Sequence, residues 1–305
     1  MRKQNRGIRA ALLSAFFLGM APIFGKQAIL AGLPPLSVVA LRTLFAALLL
    51  FAVIMAFKRQ FLQIYPIGLI GCLLAGSING IGSLFYYSAL GRIDAGIGQL
   101  LYSLYPLFVA IWLWLDKQPP SKLTLLRIGL AMPAVAMITL GGSHRLDLVG
   151  MGMMLLAAAL YALHLPINQR VLMDMPAPTV TLYTLFAMSA IVVPAFLIIG
   201  PIRLPTTTAT IWPVVGLTLV TFFSRITLFL GVKHIGGMQT ALLGLFELLV
   251  SVGLAQIWLH ETMTLTQWAG AALLSVVLVL AAFDKTRPPA PPSGKGWLSW
   301  IRPRL

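Results

Sequence analysis

Ten apolar runs of about membrane-spanning length follow one another along this chain, and almost all of its charge falls between them. A helix needs ~20 residues at 1.5 Å each to cross a ~30 Å hydrocarbon layer, so runs of this kind leave little else for the chain to become. They lie at about 8–29, 36–57, 66–90, 95–115, 123–141, 148–169, 178–200, 211–232, 237–258 and 265–283. A 59% hydrophobic and 10% charged composition is far from that of a water-soluble domain. Strand-type alternation in ~10-residue units is absent, which argues against an outer-membrane barrel. The expected fold is an all-α integral membrane protein of ten transmembrane helices, with no room in 305 residues for a soluble catalytic or nucleotide-binding domain.

The net charge of +15 reads as topology. With the N-terminus inside, one face collects Arg2, Lys3, Arg6, Arg9, Lys58, Arg59, Lys117, Lys122, Arg127, Arg170, Lys233, Lys285, Arg287, Lys295, Arg302 and Arg304, and the other only Arg92, Arg145 and Arg203. The positive-inside rule then places both termini in the cytoplasm and supports an even number of spans. The short loops suit a bacterial inner membrane. The basic, apolar start resembles a signal peptide without a small-residue cleavage site, and is read as an uncleaved first helix. After Asp284 the tail is Pro-rich, and its Trp297-Leu298-Ser299-Trp300 between Lys295 and Arg302 reads as an anchor on anionic lipid.

An internal repeat is visible. Val39-Ala40-Leu41-Arg42-Thr43-Leu44-Phe45-Ala46 returns as Val180-Thr181-Leu182-Tyr183-Thr184-Leu185-Phe186-Ala187, an offset of 141; Pro22 and Lys26 answer Pro166 and Arg170 at 144, and Gly129 answers Gly270 at 141. The halves are 8–141 and 148–283, followed by a basic tail, 284–305. Five helices per half is an odd number, so the second half enters the membrane inverted. That is the architecture of alternating-access carriers, whose solute site lies between the repeats near the midplane. Pro22 and Pro166 are the expected paired helix breaks.

These segments also carry a family resemblance. Gly19 to Lys26, Ala40-Leu41-Arg42-Thr43-Leu44-Phe45-Ala46-Ala47-Leu48, Leu104-Tyr105-Pro106-Leu107, and above all the run from Leu259-His260-Glu261-Thr262 through Trp268-Ala269-Gly270 to Leu274 resemble the EamA-type members of the drug/metabolite transporter superfamily. The resemblance covers residues 8 to 283, one EamA unit per half. It implies two inverted five-helix repeats, a central cavity lined mainly by helices one to four and six to nine, and secondary transport, often export, of small organic solutes. The chain departs from the family pattern in having Pro119-Pro120 where a glutamate is common. Leu248 also follows Glu247 where a proline is frequent, so the ninth helix is expected to run without a kink there.

No phosphate-cradling G-x-x-x-x-G-K-[ST], H-E-x-x-H or G-x-S-x-G occurs, so an ATP-driven pump, a zinc site and acyl-transfer chemistry find no support; no cofactor or metal is expected. The histidines are His144, His164, His234 and His260, and the single cysteine, Cys72, sits in an apolar run and supports no disulfide. The polar groups within the spans are Lys26, Arg42, Arg225, Glu247 and His164, with Asn79, Gln99, Tyr86, Tyr87, Tyr102 and Ser103. Each charge at a helix centre costs ~2.5–3.5 kcal/mol even on the lenient scale, so such residues turn inward and find partners.

Arg225 and Glu247 fall near the midplane of the eighth and ninth spans and form the expected ion pair. It is read either as structural or as a proton site, since Glu247 is the one deep acidic group. Lys26 is expected to snorkel to the interface, Arg42 to face the cavity, and His164 to pack beside Pro166. Tyr102 and Tyr86 could line an aromatic pocket. Inward-facing cations in excess of carboxylate favour a solute bearing an anionic group. Gly76-x-x-x-Gly80 and Gly82 should let helices pack closely. The expected activity is export of a small organic metabolite (amino acid, organic acid or drug-like solute), with proton coupling through Glu247 as one reading. Uptake, solute antiport and a transport-inactive binding protein stay open as alternatives.

Overall fold

The structure, a computed structural model, describes residues 2–93, 95–139, 147–259, 264–283 and 297–298. Among these the regular structure is all helix, without a strand. In chain order the helices are α1 (Arg2–Leu30), α2 (Pro35–Phe57), α3 (Pro66–Leu90), α4 (Ala95–Tyr102), α5 (Tyr105–Leu115), α6 (Lys122–Thr139), α7 (Leu148–Val171), α8 (Ala177–Ile199), α9 (Thr208–Ile235), α10 (Gly237–Gly244), α11 (Phe246–Leu259) and α12 (Leu265–Phe283), with a 3₁₀ turn at Arg59–Leu62. Six of them, α1, α2, α3, α7, α8 and α9, are long and apolar enough to cross a membrane. The chain is an integral, multi-pass membrane protein.

Helix boundaries follow local chemistry. Pro35, Pro66, Pro106 and Pro178 stand in the first turns of α2, α3, α5 and α8, where their missing N–H has no helical partner to lose. Asp147 caps α7 by accepting from the amides of Val149 and Gly150, each at 3.0 Å. Its other oxygen takes Nε of Arg92 at 2.9 Å. These bonds, that from Gly150 first, hold the Asp147 carboxyl below its ordinary value of 3.8. A lowered folded value means the cap stabilises above the ordinary carboxylate range, and that contribution fades as pH falls through the folded value. Asp147→Ala is therefore expected to lower the melting temperature in detergent at pH 7, with the gap to the parent narrowing as pH falls below the ordinary value of 3.8.

The two halves interlock. α1 lies along α9 and α3 along α7, α2 packs on α8, α6 on α12, and α5 on α7 as α11 does on α1. Exchanging the halves maps this set of contacts onto itself, as a two-fold relation between repeats requires. Close approach depends on small residues: a Cβ at Gly76 would lie 2.5 Å from both the Ala187 Cβ and the Thr184 carbonyl of α8, and one at Gly19 would lie 2.7 Å from the Glu247 carbonyl. Gly76→Val should destabilise by about 1–3 kcal/mol, read as a lowered melting temperature, because backbone rather than a flexible side chain blocks the space.

Sequence expectations and structure part at three places. The fourth and ninth predicted runs are each broken in two, at Ser103–Leu104 and at Leu245, the second without the proline whose lack had predicted an unkinked helix. At the first break Pro106 has no N–H for the Tyr102 carbonyl. At the second, the Tyr105 hydroxyl donates to the Ala241 carbonyl at 2.9 Å, and the Leu245 amide turns to the Leu242 carbonyl at 3.3 Å. Pro22 and Pro166, the expected breaks, instead lie inside the uninterrupted α1 and α7. They remove only the donors to the Leu18 and Ala162 carbonyls. In the tail, Leu298 is fully buried against the protein rather than turned to lipid, and Trp297 is 39% exposed; Ser299 and Trp300 lie outside the described residues.

Candidate functional site

A small cavity of about 40 Å³, counted as the space open to the centre of a water-sized sphere, lies where the halves meet. α1 contributes Leu18 and Ala21, α2 Arg42, α3 Asn79, Gly82, Ser83, Tyr86 and Tyr87, and α4 Gln99 and Tyr102. From the second half come Ala157 and Tyr161 of α7, Arg225 of α9 and Glu247 of α11. Glu247 is in the first turn of α11, directly after the Leu245 break, so the interruption of the ninth run sets a carboxylate at the cavity wall. Gln99 and Tyr102 close α4 just before the corresponding break in the first half.

Three charged groups face this space. Glu247 is 2% exposed, Arg225 4% and Arg42 6%. The expected ion pair is not formed: no ion pair or hydrogen bond joins Arg225 to Glu247, and Glu247 Oε1 and the Nε and Nη1 of Arg225 are buried without a hydrogen-bond partner. Buried polar groups are ordinarily satisfied, and each that is not costs about 1–3 kcal/mol, more if charged. Arg42 is better held, donating to the Thr221 hydroxyl at 3.2 Å and the Ser83 hydroxyl at 3.3 Å, with its Nε unpartnered.

Aromatic rings form much of the rest of the wall. The Arg42 guanidinium lies 4.7 Å from the Tyr87 ring centre and that of Arg225 5.7 Å from Tyr161, so both cations rest on electron-rich faces. Tyr86 stacks edge-on with Tyr102 at 4.9 Å, Tyr102 lies 5.3 Å from Tyr161, and Tyr105 meets Tyr161 edge-on at 5.0 Å. The Tyr86 hydroxyl donates to Gln99 Oε1 at 3.3 Å, and Asn79 Nδ2 reaches the Met188 sulfur at 3.3 Å. Such a site offers a cationic end, one carboxylate and flat apolar faces.

Of the residues singled out from sequence, Arg42, Asn79, Tyr86, Tyr102, Arg225 and Glu247 are brought together here, and Lys26 and His164 are not. Lys26, half-buried, reaches the end of α3 rather than the cavity. Its amine donates to the carbonyls of Leu90 at 3.0 Å and Ile93 at 3.4 Å, tying α1 to the end of α3. His164 is fully buried, its Nδ1 donating to the Tyr161 carbonyl, its ring 4.7 Å from Tyr161 and its Nε2 unpartnered. It acts as a packing histidine behind the wall, bonded to a carbonyl other than the one Pro166 frees. Tyr161 itself was missed. Its only sequence signal is its place one turn before His164, on the same face of a helix poor in polar groups. The resemblance implied a cavity lined mainly by helices one to four and six to nine; no residue of α8 lines this one.

Comparison with known proteins agrees with this architecture. A solved crystal structure superposes with a TM-score of 0.75 at 16% identity, over 92% of this chain and 97% of that one, a likeness that concerns the fold alone. No curated protein matches the chain. The EamA-like transporter family matches twice, over residues 5–140 and 148–283, one copy for each half of the fold. The chain belongs to the EamA-like transporter family, within the drug/metabolite transporter superfamily.

Proposed function

We propose that this protein is a secondary transporter that exports a small organic metabolite carrying a carboxylate or similar anionic group, by alternating access. Its two inverted five-helix repeats, 8–141 and 148–283, make ten spans, each broken pair α4–α5 and α10–α11 counting as one. The sixteen-to-three distribution of basic residues supports cytoplasmic termini for both the first helix and the tail 284–305, in a bacterial inner membrane. The observation that carries the reading is the cavity between the halves, where Arg225 and Glu247 face one space with polar atoms left unpartnered. A solute carboxylate on Arg225 and Arg42 would satisfy donors that the protein leaves open, and the tyrosine wall would cover its apolar part.

Glu247 is the group we assign to proton coupling. A structural pair would be closed, since an open buried carboxylate contributes nothing to stability. With no hydrogen bond to Arg225, its Oε1 stays open to a proton from the cavity. Ligand-dependent thermal stabilisation of the detergent-purified protein tests the binding half of this reading, with amino acids, organic acids and cationic amphiphiles as the panel. Anionic solutes should raise the melting temperature, by the equivalent of about 2.7 kcal/mol at a hundred times their dissociation constant. Stabilisation by cationic amphiphiles alone would contradict the anion preference.

A further inference from the structure

The buried Asp116–Arg170 pair lies far along the fold from the cavity's charged groups, at the ends of α5 and α7. Asp116 is the last-turn cap of α5 in the first half, fully buried, and its Oδ2 takes Nη2 of Arg170 from the end of α7 in the second half at 2.6 Å. Gln118 Nε2 donates to the same oxygen at 2.8 Å. The remaining oxygen is taken by the tail: the Leu298 amide donates to Asp116 Oδ1 at 3.0 Å. Beside it, Trp297 Nε1 points to the Trp112 carbonyl of α5 at 3.4 Å. The Leu298 side chain is fully buried in the cluster that holds Val109 and Leu113 of α5 and Leu165 of α7.

We propose that Trp297 and Leu298 are a strap that fastens α5 to α7 and keeps this face of the transporter closed. A carboxylate buried to this degree requires donors on both oxygens, and the tail supplies the one that Arg170 and Gln118 do not. The tail follows α12 of the second half, whereas Asp116 and Trp112 belong to the first. With Leu298 seated among residues of both halves, the strap is a second link between them, in parallel with the Asp116–Arg170 pair. For the halves to part here, in the alternating access proposed above, Leu298 must leave both its hydrogen bond and its apolar seat. Under that reading this is the cytoplasmic face, so the tail sets the resting balance against the inward-open form.

The test reads opening directly and needs no solute. Spin labels on cysteines at Leu115 and Met173, in a Cys72→Ala background, report the α5–α7 separation by pulsed dipolar spectroscopy in nanodiscs. Leu298→Asp and deletion of residues 297–305 each leave all twelve helices intact. Both are expected to add a longer-distance component, the open fraction rising roughly ten-fold, the order for losing a hydrogen bond to a charged group. A distance distribution identical to the parent's in both variants would overturn the strap. Solute flux is measured on the same preparations: opening without flux in any of them keeps the strap and counts against transport, whereas flux with unchanged distances keeps transport and removes the strap.

Discussion

Glu247→Gln is expected to abolish the response of solute flux to an imposed pH gradient, lowering gradient-driven flux by about 100-fold, the lower end of what loss of a proton-transferring group costs. The same variant is expected to keep or raise the melting temperature. Glu247 sits 2% exposed with Oε1 unpartnered, so the amide relieves the burial of an unpaired carboxylate and breaks no bond. A structural role makes the opposite forecast: truncating one partner of a closed buried pair destabilises by about 3–5 kcal/mol. Melting temperature and coupling measured side by side thus separate the two roles that sequence left open for this residue.

The second large effect concerns the cations. Arg225→Gln should weaken binding of carboxylate solutes by about 2–5 kcal/mol, a factor of roughly 30 to several thousand, while binding of their methyl esters changes little. Arg42→Gln should follow the same pattern with a smaller loss. The difference in size comes from their surroundings. Arg42 spends donors on Thr221 and Ser83, whereas the Nε and Nη1 of Arg225 have no partner and are free for an anion. Both rest on tyrosine faces, so glutamine also uncovers Tyr87 or Tyr161. Isothermal titration of acid and ester forms against each variant checks the ranking. Equal losses for acid and ester would show that the arginines shape the pocket rather than recognise charge.

Most of the scaffold was legible because membrane burial writes long, simple signals. Apolar runs bounded by charge located the helices to within a few residues, and the 141-residue offset located a repeat whose helices do exchange as pairs, α1 on α9 and α3 on α7. The costs of intramembrane polarity likewise pointed to Arg42, Arg225, Glu247, Asn79, Tyr86 and Tyr102 before their convergence was visible.

What stayed hidden depends on partners far away in the chain. The break at Leu245 has no proline and arises because Tyr105, from the other half, takes the Ala241 carbonyl. Pro22 and Pro166 looked like breaks, yet a single lost donor leaves a packed membrane helix continuous. Lys26 lacked a visible partner because its partners are carbonyls, which carry no sequence signature. Arg225 and Glu247 were paired by depth along their helices. Depth alone does not set the distance across a cavity.

Gradient-driven flux in sealed proteoliposomes tests the central claim most directly. Purified protein is reconstituted, a pH gradient is imposed, and entry of a labelled carboxylate solute is followed for the parent, Glu247→Gln and Arg225→Gln. The account predicts saturable flux in the parent that collapses with the gradient, loss of the gradient response in the first variant, and a strongly raised half-saturating concentration in the second. Flux that is indifferent to the gradient and to both substitutions, or no flux of any solute that the purified protein binds, would contradict it.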